Sequence, residues 1–332
     1  MANITAEKFN RLRSQILNVV NNNDFNQNPE LNIQLGGYGQ SFVINPAVTG
    51  ATIGEAEHRQ LYDAIVAARV HQIGSLPNTL TAVDFGDVIG DDATYTQDAN
   101  GDLVVDDALA GYDDLELEIQ FAKNGLNNGI HALGSRSQYD KLSTSRSTNW
   151  GNIATSTTID CEFQVDFGSV ESARRFWNTG GEIRITGQHL NTDDPKNVSW
   201  RDLFSNFSYY LKARESAGAA SQINDGWSGL SNTYQQVGYW SISTNPLYAE
   251  NYVTVSAKVD TSLNSSGVAR YLYIKVQCVD ADVGDGDNFN PPIPVDEVVK
   301  PGTAITLSEY RADTTYISAL TPTVTFRNGN TL

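Results

Sequence analysis

Few side chains in this sequence stand at spacings that do chemistry. The four histidines, His58, His71, His131 and His189, form no H-E-x-x-H or H-x-H pattern, so no zinc-type ligand set is legible. His71 lies near a predicted helix end, where it reads as a cap or dipole partner, and His189 follows a strand and reads as a loop residue. The two cysteines, Cys161 and Cys278, belong to no CxxC pair and lie in strand-like runs, so they read as buried thiols. "GWSGL" (226–230) has its second glycine one position too early for a nucleophile elbow. "GGYGQ" (36–40) lacks the GK[ST] and the immediate helix of a phosphate loop, so it reads as a tight turn with close backbone approach. "DANGDLVVDD" (98–107) and "VDADVGDGDNFNPP" (279–292), with Asp280, Asp282, Asp285 and Asp287, both miss the EF-hand spacing and read as solvated acidic loops. The expectation is a chain with no catalytic residues, no metal and no cofactor.

Two aromatic clusters remain. "GSVESARRFWNTGGEIRITG" (168–187) places Arg174 and Arg175 beside Phe176 and Trp177, with two glycines after them. An anion site wants such glycines before a helix, whereas here they follow one. They therefore read as a cap that turns a helix into the next strand. The arginines are expected to pair with the chain's own carboxylates or with a neighbouring subunit. "NDGWSGLSNTYQQVGYW" (224–240) carries Trp227, Tyr234, Tyr239 and Trp240, which are either a sugar-stacking surface or core and interface anchors. Arg174, Arg175, Phe176, Trp177, Trp227 and Trp240 are the packing and interface candidates. Glu162, Asp166 and Glu182 alternate with apolar positions and are expected to face solvent or a neighbouring subunit.

The elements that would position these residues change type along the chain. Residues 3–20 predict a helix capped by Thr5, with Phe9, Leu12, Ile16, Val19 and Val20 on one face and Ile4 stapling onto Phe9. Residues 52–72 predict a second, with Thr52 and Glu55 at capping-box spacing and Leu61, Ile65 and Ala68 inward. "SFVI" (41–44) between them is a short strand candidate, and 84–125 reads as acidic and loop-rich. From about 152 the period becomes two. Ile159, Cys161, Phe163, Val165 and Phe167 alternate with polar residues, and five further alternating runs follow after 230. Phe163, Tyr239, Val253, Val255, Leu272, Ile274 and Val276 are expected to line a sheet-on-sheet core. Two helices interrupt the strands, at 170–178 with Ser169 as cap and at 199–213. "NFNPPIPVDEVVKPGTAITL" reads as an extended arm or a packed surface loop. The fold class is thus α+β: an N-terminal helical module (1–80), an acidic connecting segment (81–150) and a β-rich, sandwich-like domain with short packed helices (151–332).

Composition narrows the partners. With a net charge of −17 the chain repels nucleic acid and anionic lipid, so neither is an expected partner. "MANITAEKF" has neither the basic nor the apolar region of a signal peptide, and no run approaches the roughly 20 apolar residues of a membrane span. Synthesis and assembly in a cytoplasm are expected.

Two stretches resemble one family. "FGSVESARRFWNTGGEIRITGQ" (167–188) is similar to a strand–S-A-R-x-F/W-F/W-N-x-G-G–strand motif of tailed-bacteriophage virion structural proteins, especially of marine and cyanobacterial phages. The YGQ loop and "VTGATIGEAEHRQLYDAIVAARVHQIG" (48–74) resemble a loop and helix of the same proteins, whose R-x-H-Q-x-G ending is matched by Arg69, His71, Gln72 and Gly74. The resemblance implies a non-enzymatic particle component of the tail, neck or baseplate that forms a homo-oligomer and binds other virion proteins, located in the virion. A receptor- or glycan-binding tail appendage, with a host glycan as partner, and a capsid decoration protein are the alternatives.

Overall fold

The computed structural model describes residues 4–21, 37–80, 88–89, 94–97, 103–106, 111–127, 136–152, 155–213, 216–217, 226–242, 245–265, 267–281, 298–312, 317, 320–327 and 331–332. Gly36, His131, Asp282, Asp285, Asp287 and the proline run from Pro291 to Pro294 lie outside them, and so do the calcium-loop and arm readings made there. The fold is α+β, and the chain divides into two compact units. The first comprises Met1–Arg136, Asn178–Gly180 and Ala312–Ala319; the second comprises Ser137–Trp177, Gly181–Arg311 and Leu320–Leu332. No described helix is long and apolar enough to cross a membrane.

Three helices build the first unit: α1 (Ala6–Val20), α2 (Glu55–Ile73) and α3 (Tyr112–Asn127). Thr5 caps α1, its side chain accepting from the Lys8 N–H. The predicted Thr52–Glu55 box does not form; Gly54 is the N-cap and only the reverse half is made, Glu57 accepting from the Gly54 N–H at 3.1 Å. Helix α3 falls inside the segment expected to be loop. Its first turn is acidic, which suits a helix N-terminus, and Leu115, Ile119, Ala122 and Leu126 recur at helical spacing into the core. These meet Phe9, Leu12 and Ile16 of α1 and Leu61, Ile65 and Ala68 of α2, and Ile317 joins the same core. A small antiparallel sheet, β1 (Val88–Ile89), β2 (Thr94–Gln97) and β3 (Leu103–Asp106), precedes α3. Residues 41–44 are not a strand. Asn21 takes the pairing that a strand would need, its side chain donating to the Phe42 carbonyl and accepting from the Phe42 N–H, both at 2.9 Å.

The second unit contains β4 (Arg136–Ser145), β5 (Thr158–Asp166), α4 (Val170–Asn178), β6 (Glu182–His189), α5 (Pro195–Asn206), β7 (Ser208–Leu211), β8 (Ser216–Ala217), β9 (Gln235–Ser241), β10 (Tyr252–Val259), β11 (Tyr271–Val279), β12 (Thr303–Ala312) and β13 (Thr323–Phe326). One sheet runs β13-β5-β11-β10-β9 and the other β4-β12-β6-β7-β8. Strict alternation of buried and half-buried residues in β5, β10 and β11 puts Phe163, Val255, Ile274 and Cys161 on one inward face. Both cysteines are buried and free, and burial pushes their thiols up.

Three strand-level expectations change. Tyr239 does not line the core. The β9–β10 register shifts between Val255 and Ser256, so Val237 and Trp240 both point inward and Tyr239 falls on the other side. The helix expected over 199–213 begins earlier, at Pro195, because Asp194 caps it and proline suits its first turn. It ends at Asn206, and Tyr209 and Leu211 become buried strand positions. Glu182, expected to face solvent or a neighbouring subunit, and His189, expected in a loop, are buried at the two ends of β6. Glu182 is matched there by Arg184 at 2.7 Å.

Candidate functional site

The YGQ loop owes its place to the end of α1. The last carbonyls of a helix have no partner within it. Here the Tyr38 and Gln40 N–H groups donate to the Val19 and Val20 carbonyls, each at 2.8 Å. Gly37 makes the approach possible, since a Cβ there would stand 2.0 Å from the Asn21 carbonyl oxygen. The loop thereby delivers Tyr38, fully buried, to the end of α2.

At that end the R-x-H-Q-x-G residues gather around it. Gln72 Nε2 donates to the Tyr38 hydroxyl at 2.8 Å and to the Ala122 carbonyl at 2.6 Å. Arg69 donates to Gln72 Oε1 at 2.9 Å and to Glu118 of α3 at 2.7 Å, and Thr79 donates to the other Glu118 oxygen at 2.6 Å. His71 packs edge-on against the Tyr38 ring, with centroids 4.9 Å apart. The second motif block contributes as well. Asn178 donates to the Gly37 carbonyl at 2.9 Å, and the Thr179 backbone stands close enough to His71 to favour its protonated form.

The electrostatics hold protons where they are. Burial lowers His71 to about 4, against the opposing influence of the Thr179 backbone, so the ring is neutral near neutral pH. Burial also pushes the Tyr38 phenol up, so it stays protonated. His58, on the same helix and edge-on to Tyr112, is lowered to about 4 by burial alone. The arrangement ties α1, α2, α3 and Asn178–Gly180 together; it sets no nucleophile beside a base. Among the described residues no group of three or more His, Cys, Asp or Glu is gathered to hold a metal.

The six candidates from the sequence lie in the second unit and form two groups. Ser169 caps α4, accepting from the Ser172 N–H at 3.0 Å, and Gly180 takes the left-handed conformation after it. Gly181 instead allows a close backbone approach. Its N–H donates to the Phe176 carbonyl, and a Cβ would lie 2.4 Å from that oxygen. Phe176 and Trp177 are fully buried. Trp177 stacks on Trp227 at 5.6 Å and contacts Phe167 at 5.5 Å. Arg174 pairs with Glu171 at 2.9 Å and donates to the Gly267 carbonyl at 2.8 Å, and Arg175 is half-buried beside it. Trp240 lies apart, edge-on to Phe207 at 4.7 Å. Trp227 and Trp240 are buried and act as core anchors, whereas Tyr234 of the same cluster is exposed and Tyr239 half-buried.

Glu118 lies 49 residues along the chain from Arg69 and 39 from Thr79, so the spacing of the motif does not announce Glu118 and Thr79 as its partners. The amphipathic run from Leu115 to Leu126 was the available signal. A second buried polar group, around Lys196 and Asp280, is equally illegible in the sequence, because its members come from distant parts of the chain. The chain matches no protein-family model, no curated protein and no solved structure.

Proposed function

We propose that this protein is a non-enzymatic structural component of a tailed-phage virion, oligomerising in the tail, neck or baseplate. One observation carries the reading. The two stretches that resemble that family are far apart in sequence, yet Asn178 and Thr179 of one close on Gly37 and His71 of the other. A chance likeness at two separate places has no reason to converge on one buried cluster. The motif residues serve backbone closure and core packing, which suits a scaffold whose working surface is its exterior. The excess of acidic side chains keeps such subunits apart before assembly.

The test has two arms. Mass spectrometry of purified particles is expected to find the chain at a stoichiometric copy number, and light scattering of the purified protein is expected to give a closed oligomer. A strict monomer that is absent from particles would end the proposal. Binding to expanded heads and not to tails would move it to the capsid-decoration alternative.

A further inference from the structure

Lys196 and Asp280 are both completely buried, and Lys196 Nζ lies 2.8 Å from Asp280 Oδ2. The lysine enters on the first turn of α5 and the aspartate directly follows β11. Their surroundings hold both groups still. The Gly151 carbonyl accepts from Lys196 Nζ at 3.0 Å. Gly151 also has no Cβ to obstruct the carboxylate: one there would stand 2.2 Å from Asp280 Oδ2. Trp150 and Trp200, both fully buried and edge-on at 4.8 Å, stand next to Gly151 in sequence and one turn along α5 from Lys196. The Asp280 N–H donates to the Thr157 carbonyl, and the following N–H, of Ala281, donates to Asn251 Oδ1, each at 2.8 Å.

We infer that Lys196 and Asp280 are the reactants of an intramolecular isopeptide bond, formed between Nζ and Cγ. Desolvating an ammonium and a carboxylate costs several kcal/mol for each ion, and a neutral amide made of the same atoms removes that cost. Fixed contact between reacting groups supplies effective concentrations of roughly 10⁵ M or more. The atoms balance without a co-reactant. One ammonium proton passes to the carboxylate, the amine lone pair attacks Cγ, and the C–O bond to one carboxyl oxygen breaks. Of the three ammonium protons, one stays on the amide nitrogen and two leave with that oxygen as water. Nothing is oxidised or reduced.

The inference is independent of the phage reading and is tested on the full-length protein as purified. Intact-mass measurement under denaturing conditions is expected to find the chain lighter than its sequence by one water. Tryptic digestion is expected to give a branched peptide joining the segment around Lys196 to the one around Asp280, with no cleavage after Lys196. Lys196→Met and Asp280→Ala should each restore the full mass. An unmodified mass with normal cleavage after Lys196 overturns the inference and leaves an ion pair. Loss of water that maps elsewhere, such as a succinimide at Asp285-Gly286 in the same tryptic segment, overturns it equally. Because the wild-type measurement decides the matter, a variant that fails to fold does not.

Discussion

Protonating His71 would place a charge against the Tyr38 ring in the core of the first unit, and this makes stability there depend on pH. In the folded chain His58 and His71 titrate near 4, below the ordinary 6.5. His189 is also lowered, by burial. A depressed histidine is neutral when folded, so its contribution is fully present above pH 6.5 and is lost as pH falls toward 4, while the unfolded chain takes up protons. Each of His58 and His71 can lose up to about 3 kcal/mol over that window. The depressed carboxylates, such as Asp166 held down by Arg270, act only below their own ordinary range. Urea midpoints are therefore expected to fall clearly between pH 7 and pH 5, and His71→Gln should flatten the slope. A level wild-type profile across that interval would mean that these rings are hydrated.

At the scale of elements, α4 and the strand after it are held by one aromatic stack and one glycine. Trp177→Ala removes the contacts with Trp227, Phe176 and Phe167, and is expected to cost about 3–5 kcal/mol. A large fall in melting temperature checks this; an unchanged one would show that the stack adds nothing to stability. Gly181→Ala drives a Cβ into the Phe176 carbonyl and is expected to cost about 2 kcal/mol or more. Calorimetry should find it destabilised even though Gly181, unlike Gly180, does not have a left-handed backbone. Alternation made β5, β10 and β11 readable, because a half-buried strand repeats every two residues whatever its neighbours. The end of α5 was harder. Phe207 and Tyr209 fit helix and strand alike, and pairing of β7 with Ile183 and Ile185 settled the choice.

For the whole molecule, the first unit is assembled from three separate pieces of the chain. A fragment ending at Arg136 would lack Asn178, Thr179 and Ile317, which hydrogen-bond or pack in its core. Such a fragment is expected to protect the amides of α1 and α2 less than the full chain does, by at least tenfold in hydrogen exchange. Equal protection would show that those pieces contribute nothing to the unit.

The sequence alone determined what is periodic or local: α1 and its Thr5 cap, the alternation of the long strands, the buried thiols, the Ser169 cap and the α+β class. These depend on a residue's neighbours along the chain, within one or two turns. Only the tertiary structure decided the rest. It made Tyr112–Asn127 of the acidic segment a core helix, buried Trp227 and Trp240, shifted Tyr239 outward at a bulge, and enclosed Glu182 and His189. It also brought Tyr38, Gln72 and Glu118 into one network and set Lys196 against Asp280. The physical reason is common to all of these. A polar or aromatic side chain can be buried wherever a partner covers it or completes its hydrogen bonds. That partner comes from a distant part of the chain, so no local pattern announces it.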